Sequence, residues 1–241
     1  VSSRKPATKR PRTGRPAESL SKTRVVAAAL EVIDTLGLDA FSIRSLAQSL
    51  GVYPTALYWY VPNRNALLAE VVKLALQEVV PSTGSGDWQL WLKDLFRRYR
   101  QAVRRHPNLA PLMGAQMVSN AGVEPVLPER VLNTLCRAGF QDEALVHAFN
   151  TVIATMAGFV TLEFGPAPAE NNKSWAREFR DALHAVDAAQ FPLLAQTMPR
   201  LENRAFITRW QNGTEAPLDD SFETFIDVAV RGLEQRLKLK S

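Results

Sequence analysis

Between Phe41 and Tyr60 the apolar positions change period twice. Ile43, Leu46, Ala47 and Leu50 recur at helical spacing behind Ser42, whose hydroxyl suits a helix N-cap. Gly51 offers a left-handed stop, Val52 fills the elbow, and Pro54 suits the first turn of a second helix with Leu57 and Val61 inward. This is the pattern of a helix-turn-helix, whose second helix enters a DNA major groove. Tyr58, Trp59 and Tyr60 span too wide an arc of a helix to face one way. The reading assigns Trp59 mainly to packing and Tyr58 to a phosphate, and it leaves Tyr60 open between core and DNA.

The same periodicity predicts helices along the whole chain. Ser21 to Leu36 carries Val25, Val26, Ala29, Leu30, Ile33 and Leu36 on one face and stops at Gly37. Asn63 caps a fourth helix, running to about Val80. Pro81 and the run Ser82-Thr83-Gly84-Ser85-Gly86 then break the chain. Further helices are expected from Asp87 to His106, Leu109 to Val118, Val126 to Ala138, Asp142 to Phe164, Trp175 to Ala189, within Phe191 to Trp210, and Ser221 to Leu237. No alternating strand and no internal repeat interrupts them. The expected fold is all-α. A basic arm (1–20) precedes a three-helix helix-turn-helix domain (21–66) and a larger helical ligand-binding and dimerisation domain (67–241), with helix 63–80 joining the two. The helices Asp142 to Phe164 and Ser221 to Leu237 are apolar over more than one side. They are therefore expected to pack on their own domain and on a second copy.

Charge sharpens this picture. The 241 residues carry a formal net charge of +5, from 29 basic and 24 acidic side chains. Arg4, Lys5, Lys9, Arg10, Arg12 and Arg15 fall within residues 1–17, which hold no acid, so the remainder is close to neutral. Such an arm gains affinity for DNA by displacing counterions from phosphates, and Arg15, within Thr13-Gly14-Arg15-Pro16, is placed to enter a minor groove. A solvated tail is the plainer alternative. Apolar residues make up 46% of the chain, without a run of the roughly 18 that a membrane span needs. The one cysteine, Cys136, excludes an internal disulfide. A cytoplasmic protein without a membrane role is expected.

Catalytic and metal signatures do not emerge. His106, His147 and His184 form no metal-ligand array, and neither a nucleophile elbow nor a phosphate-binding glycine loop is present. His106, before Pro107, reads as a helix-end group on free carbonyls, and His147 as an interface histidine. No cofactor or metal is expected. An all-helical enzyme and a non-specific architectural DNA-binding protein remain as alternatives.

The residues Arg44, Leu46-Ala47-Gln48, Leu50-Gly51-Val52, Leu57-Tyr58-Trp59-Tyr60 and Asn63-Arg64-Asn65-Ala66-Leu67-Leu68 together resemble the tetracycline-repressor family of bacterial transcriptional regulators. A weaker resemblance continues through Gly139-Phe140, Glu143-Ala144-Leu145, Gly158 with Glu163, and Gly232 to Lys238. The resemblance implies a homodimer on a palindromic double-stranded operator, released by a small-molecule inducer. It implies that Arg44 reads a base edge and that Ser42, Tyr58 and Arg64 contact phosphates. Tyr53, Pro54, Thr55, Ala56 and Tyr60 would lie at or beside the recognition surface. Tyr53 and Pro54 differ from the archetype, so its operator should not transfer, and Tyr60 stands where the archetype has His. The archetype's metal-ligating His is matched by Met113 and a second polar pocket position by Val80, which points to a more apolar inducer than a drug–magnesium chelate. Trp91, Phe96, Met113, Met117, Phe149, Met156 and Phe159 are the candidate pocket lining, each with ordinary core packing as its alternative.

Overall fold

The computed structural model describes residues 19–82, 86–113, 125–165 and 172–239. Among them every regular element is a helix. The expected sites at Arg15 and Met117 lie outside the described residues.

Local chemistry sets the first four helices. Ser21 caps α1 (Lys22–Leu36) by accepting from Arg24 N–H, and Gly37 closes it at φ 82°. Ser42 and Ser45 cap α2 (Ile43–Leu50) reciprocally, each side chain accepting from the other's backbone N–H. Gly51 ends α2 in the left-handed region at φ 67°, where a Cβ would strain the turn. α3 is one turn, Pro54–Leu57, with the proline in the first turn. Asn63 caps α4 (Arg64–Ala75) through Ala66 N–H. Leu46, Ala47 and Leu57 are essentially inaccessible and join Val25, Ala29, Ile33, Leu67 and Val71 in the core. Each large aliphatic among them contributes roughly 1.5–3 kcal/mol by leaving water.

Two expectations change here. α4 ends at Ala75 rather than near Val80; a turn follows, and Val79 still packs inward. Leu36 is 54% exposed, and Val32 takes the buried place assigned to it. The last turn of α1 has rotated past the core, so position 32, four before 36, covers the same stripe.

The remainder is a helical layer: α5 (Trp88–Arg105), α6 (Val126–Ala138), α7 (Asp142–Glu163), α8 (Asn172–His184), α9 (Pro192–Leu201) and α10 (Asp219–Lys238). α5, α6, α7 and α10 pack on one another around Leu92, Phe96, Leu135, Val152, Met156 and Ile226. α5 and α10 are also riveted by ion pairs: Lys93 to Asp227 at 2.7 Å, Arg97 to Glu223 at 2.6 Å, Arg100 to Asp219 at 2.7 Å and, more loosely, Arg104 to Asp219 at 3.7 Å. The basic partners ascend α5 as the acidic ones descend α10, which makes the two helices antiparallel. Arg97 donates two hydrogen bonds to Glu223, and these chiefly hold the Glu223 carboxyl below its ordinary range against an opposing effect of burial. The folded pKa is depressed, so the pair's stabilisation is present above the usual Glu pKa and is lost as pH falls through the lower folded value. Arg97→Ala is expected to cost less than about 1 kcal/mol at neutral pH, because both partners are half exposed. That difference should vanish below the carboxylate range; urea titrations at a series of pH values would read it, and a pH-independent difference would refute it.

Candidate nucleic-acid interface

The candidate DNA-facing surface is built on α2 and α3. Arg44 lies one residue into α2, exposed and without a hydrogen-bond or ion-pair partner among the described residues. Tyr53 is 84% exposed and N-caps α3 without a side-chain bond, leaving its phenol free to reach outward. Thr55 is exposed and Ala56 and Pro54 are half-buried, so small groups line the one-turn helix and permit close approach to a base edge. Tyr58 is 52% exposed. The Ser42 hydroxyl is engaged in the α2 cap, where it accepts from Ser45 N–H and lies 3.1 Å from the Ser45 hydroxyl. Arg64 leans on the Phe41 ring and reaches the Leu38 carbonyl at 3.4 Å, a long bond that leaves other guanidinium N–H groups available.

The aromatic triplet departs from the sequence reading. Trp59, expected to pack, is 89% exposed, and Tyr60 takes the inward place. α3 stops at Leu57, and residues 58–60 continue as a turn. Helical spacing carried past Leu57 therefore points the wrong ring inward. The Tyr60 hydroxyl donates to the Leu20 carbonyl at 2.8 Å. A phenol has one proton to donate, and here it goes to the Leu20 carbonyl, so of the two roles left open for Tyr60 the structure shows the inward one. Trp59 enters the exposed set in its place.

The candidate ligand residues separate into two groups. Phe96, Met113 and Met156 are fully buried core side chains, while Trp91 and Phe149 are half-buried at its edge. Phe159 is buried but also lines an open cavity of about 670 Å³, together with Gly158, Leu162, Phe206, Asp220, Ser221, Thr224 and Phe225. That cavity lies between α7, the start of α10 and the short turn at Phe206–Thr208, and none of the other described candidate ligand residues lines it. Phe159 packs edge-to-face on Phe206 and Phe222, at centroid distances of 4.9 and 5.4 Å.

Beside the cavity is a buried charge cluster that the sequence reading missed. Glu163 has no side-chain exposure. Its carboxylate accepts from Arg100 Nε at 2.7 Å, Arg100 Nη2 at 2.6 Å and Leu218 N–H at 2.9 Å. Burial alone would lower the Arg100 pKa; the Glu163 and Asp219 partners outweigh it and leave it raised. Gly213 N–H donates to the Glu163 carbonyl at 2.7 Å, and a Cβ at Gly213 would stand 2.5 Å from Glu163 Cγ, so only glycine allows this approach. Arg209 brings a second guanidinium, bonded to the Gln211 and Ala216 carbonyls, and burial lowers its pKa. A lone Glu in an apolar helix was the one available signal.

No cluster of three or more metal-ligating side chains occurs among the described residues. His106 does not cap free carbonyls as expected; its Nδ1 lies 2.8 Å from Asp34 of α1. The neighbouring Asn108 does that work, donating to the Ile33 and Asp34 carbonyls. His147 is exposed, and His184 pairs with Glu202 at 2.6 Å.

Residues 25–71 match the model for bacterial regulatory proteins of the tetR family. Residues 80–237 match the model for the tetracyclin repressor-like C-terminal domain. The chain belongs to the TetR family. The class A tetracycline repressor from transposon 1721 of Escherichia coli is 34% identical over 153 residues, 60% of this chain and 67% of that protein. The structure of the Streptomyces coelicolor TetR family protein ActR in complex with actinorhodin superimposes with a TM-score of 0.66 at 27% identity, over 90% of this chain and 98% of that one. That of BioQ with its double-stranded DNA operator does so with a TM-score of 0.55 at 27% identity, over 74% and 99%. This TetR-family chain is accordingly a DNA-binding transcriptional regulator and not an enzyme, which removes the all-helical enzyme from consideration.

Proposed function

We propose that this regulator is a cytoplasmic repressor that binds a palindromic operator as a homodimer and is released by a small, largely apolar ligand. The observation carrying the DNA-binding part is the exposure of Arg44, Tyr53, Thr55, Tyr58 and Trp59 around α2 and α3, while Leu46, Ala47 and Leu57 lock those helices to the core. In this reading Arg44 forks onto a guanine edge, Thr55 and Ala56 approach a thymine methyl, and Ser42, Tyr53, Tyr58 and Arg64 position the backbone. Pro54 sets the α3 turn that presents them, and the basic arm with Arg15 adds salt-sensitive affinity. Residues 21–66 form the reading head and 67–241 the ligand-binding and dimerisation domain. The operator complex of the BioQ neighbour supports the choice of DNA.

The pairing surface is proposed on α7 and α10. α7 is apolar along most of its length, yet about two thirds of its most apolar stretch is left unburied within the chain. Leu162 and Val146 on α7 and Val228 and Phe225 on α10 remain exposed. A second copy laid across them covers this apolar surface and spaces two reading heads for half-sites about 34–36 Å apart. Val228→Glu, which places a charge where an apolar contact is required, is expected to halve the mass seen by light scattering. A dimer of unchanged mass would refute the assignment.

For the ligand, the actinorhodin complex of the ActR neighbour supports a small-molecule inducer. The half-buried Trp91 and Phe149 edge the proposed site, Phe96, Met113, Met156 and Phe159 back it, and Val80 and Met113 at its polar positions favour an apolar molecule. Glu163 is engaged by Arg100 and Leu218, so its carboxylate is committed within the protein. A ligand acts by binding one spacing of the reading heads better than the other. The functional test is selection from random duplexes at fixed salt. An enriched palindrome supports the repressor reading; salt-sensitive binding without a motif would favour a non-specific architectural protein instead.

A further inference from the structure

We propose that Asn108 is a positioning residue for DNA recognition: by capping the last turn of α1 from the ligand domain it sets the angle of the reading head, and with it the operator spacing that a pair of heads accepts. This rests on the reading of the chain as a homodimer on a palindrome.

A helix leaves its last carbonyls without partners of its own. In α1 the Ile33 carbonyl receives the Gly37 N–H, but the last turn has no basic side chain and carries Asp34, an acid at the end where a helix favours cations. Further donors come from far along the chain. Asn108 Nδ2 donates to the Ile33 carbonyl at 3.0 Å and to the Asp34 carbonyl at 3.1 Å. Both partners are carbonyls, so only the NH2 side of the amide can face them. Beside them His106 Nδ1 lies 2.8 Å from the Asp34 carboxylate.

The clamp is anchored on both sides. Asn108 lies in the short turn Pro107–Leu109 that directly follows α5, and Leu109 and Ala110 beside it are buried in the core. On the head side, α1 packs on both α2 and α4, so whatever holds the end of α1 holds the recognition helices with it. On the other side, α5 is tied to α10 by the ion-pair ladder, and α10 belongs to the proposed pairing face. Asn108 therefore stands on a line of contacts running from the pairing face to the reading head. Arg98 and Arg105 also reach from α5 to Glu78, just past α4, but at 3.5 and 3.8 Å these ties are long and exposed. The 15 residues of α1 span about 22 Å, so a pivot of about 10° at the clamped end moves the other end by about 4 Å, more than the rise of about 3.4 Å per base pair. A head that pivots so far accepts half-sites at more than one separation.

The test uses the full chain throughout. The probes are the palindrome selected by the unaltered chain, the same duplex with one or two base pairs added or removed at its centre, and a duplex carrying a single half-site. The unaltered chain should prefer the selected spacing by about ten-fold or more, because half-site separation is fixed by the geometry of the dimer. One hydrogen bond, net of solvent, shifts an equilibrium by roughly five-fold, so Asn108→Ala should lower that preference to about two-fold. Half-site affinity and the mass seen by light scattering should hold, and Asn108→Ser, whose hydroxyl is too short to span both carbonyls, should act in the same direction. A variant that loses affinity equally on every duplex, the half-site included, would overturn the proposal, because Asn108 would then only support the fold of α1. A spacing preference unchanged in both variants would overturn it as well, while leaving the dimer reading intact. An unaltered chain that selects no palindrome, or binds every spacing alike, would instead sink the dimer reading, and the proposal with it.

Discussion

Glu163→Ala is expected to lower folding stability by about 3–5 kcal/mol, the typical cost of stranding one member of a buried ion pair. The substitution removes the acceptor for two Arg100 bonds and for Leu218 N–H, leaving the backbone donor unpaired and Arg100 with Asp219 as its one remaining acid. Arg209, a few residues away along the same loop, already buries one guanidinium nitrogen without a hydrogen-bond partner among the described residues. Removing Glu163 leaves both cations without its charge. For a chain of this size, each 1 kcal/mol moves Tm by roughly 2–4 °C, so a fall of about 10 °C is expected in a thermal scan. The Glu163→Leu, Arg100→Met double variant should recover much of the loss, since replacing both charges removes the desolvation cost along with the attraction. A single-variant loss below about 1 kcal/mol would mean that solvent reaches the pair and that the cluster does not hold the end of α7 to α5 and α10.

The second large effect belongs to Arg44. Arg44→Ala should weaken binding to the selected operator by about 1–3 kcal/mol per half-site, or roughly ten-fold to a hundred-fold. Affinity for random duplex should hardly change. No folding penalty is expected, because Arg44 is exposed and has no protein partner to lose. Repeating the selection with the variant would show the preference relaxed at one symmetry-related pair of positions. Tyr58→Phe offers the contrast: a phosphate contact should lose affinity evenly across sequences. Uniform weakening by Arg44→Ala would move Arg44 from base reading to backbone positioning.

The two predictions differ in how far the sequence alone could lead to them. Arg44 is legible because everything that presents it is local: Ser42 and Ser45 cap its helix, and Gly51 turns the chain within eight residues of it. Glu163 meets Arg100 across 63 residues and Leu218 across 55, and no spacing rule connects such positions. The α5–α10 ladder has the same character, with partners up to 134 residues apart.

Trp59 and Tyr60 show where local reasoning failed within a motif it had found. Helical period continued past Leu57 turns Trp59 inward, but α3 ends after one turn and the chain then bends, exchanging the inward and outward rings. In the ligand domain, Phe96, Met113 and Met156 are apolar and inward, yet a cavity and a core use the same residue types. Only packing separates a side chain that closes the interior from one, like Phe159, that also borders an opening.

The sequence by itself determined the all-helical class, the caps and glycine stops, the helix-turn-helix and the family, because each follows from short-range hydrogen bonding and from apolar period. Tertiary structure alone decided that Tyr60 rather than Trp59 packs, that Glu163 is spent on Arg100 and Leu218, and that His106 and Asn108 join the end of α5 to α1. Those are long-range pairings of polar groups, and their partners are chosen by which surfaces the hydrophobic core brings together.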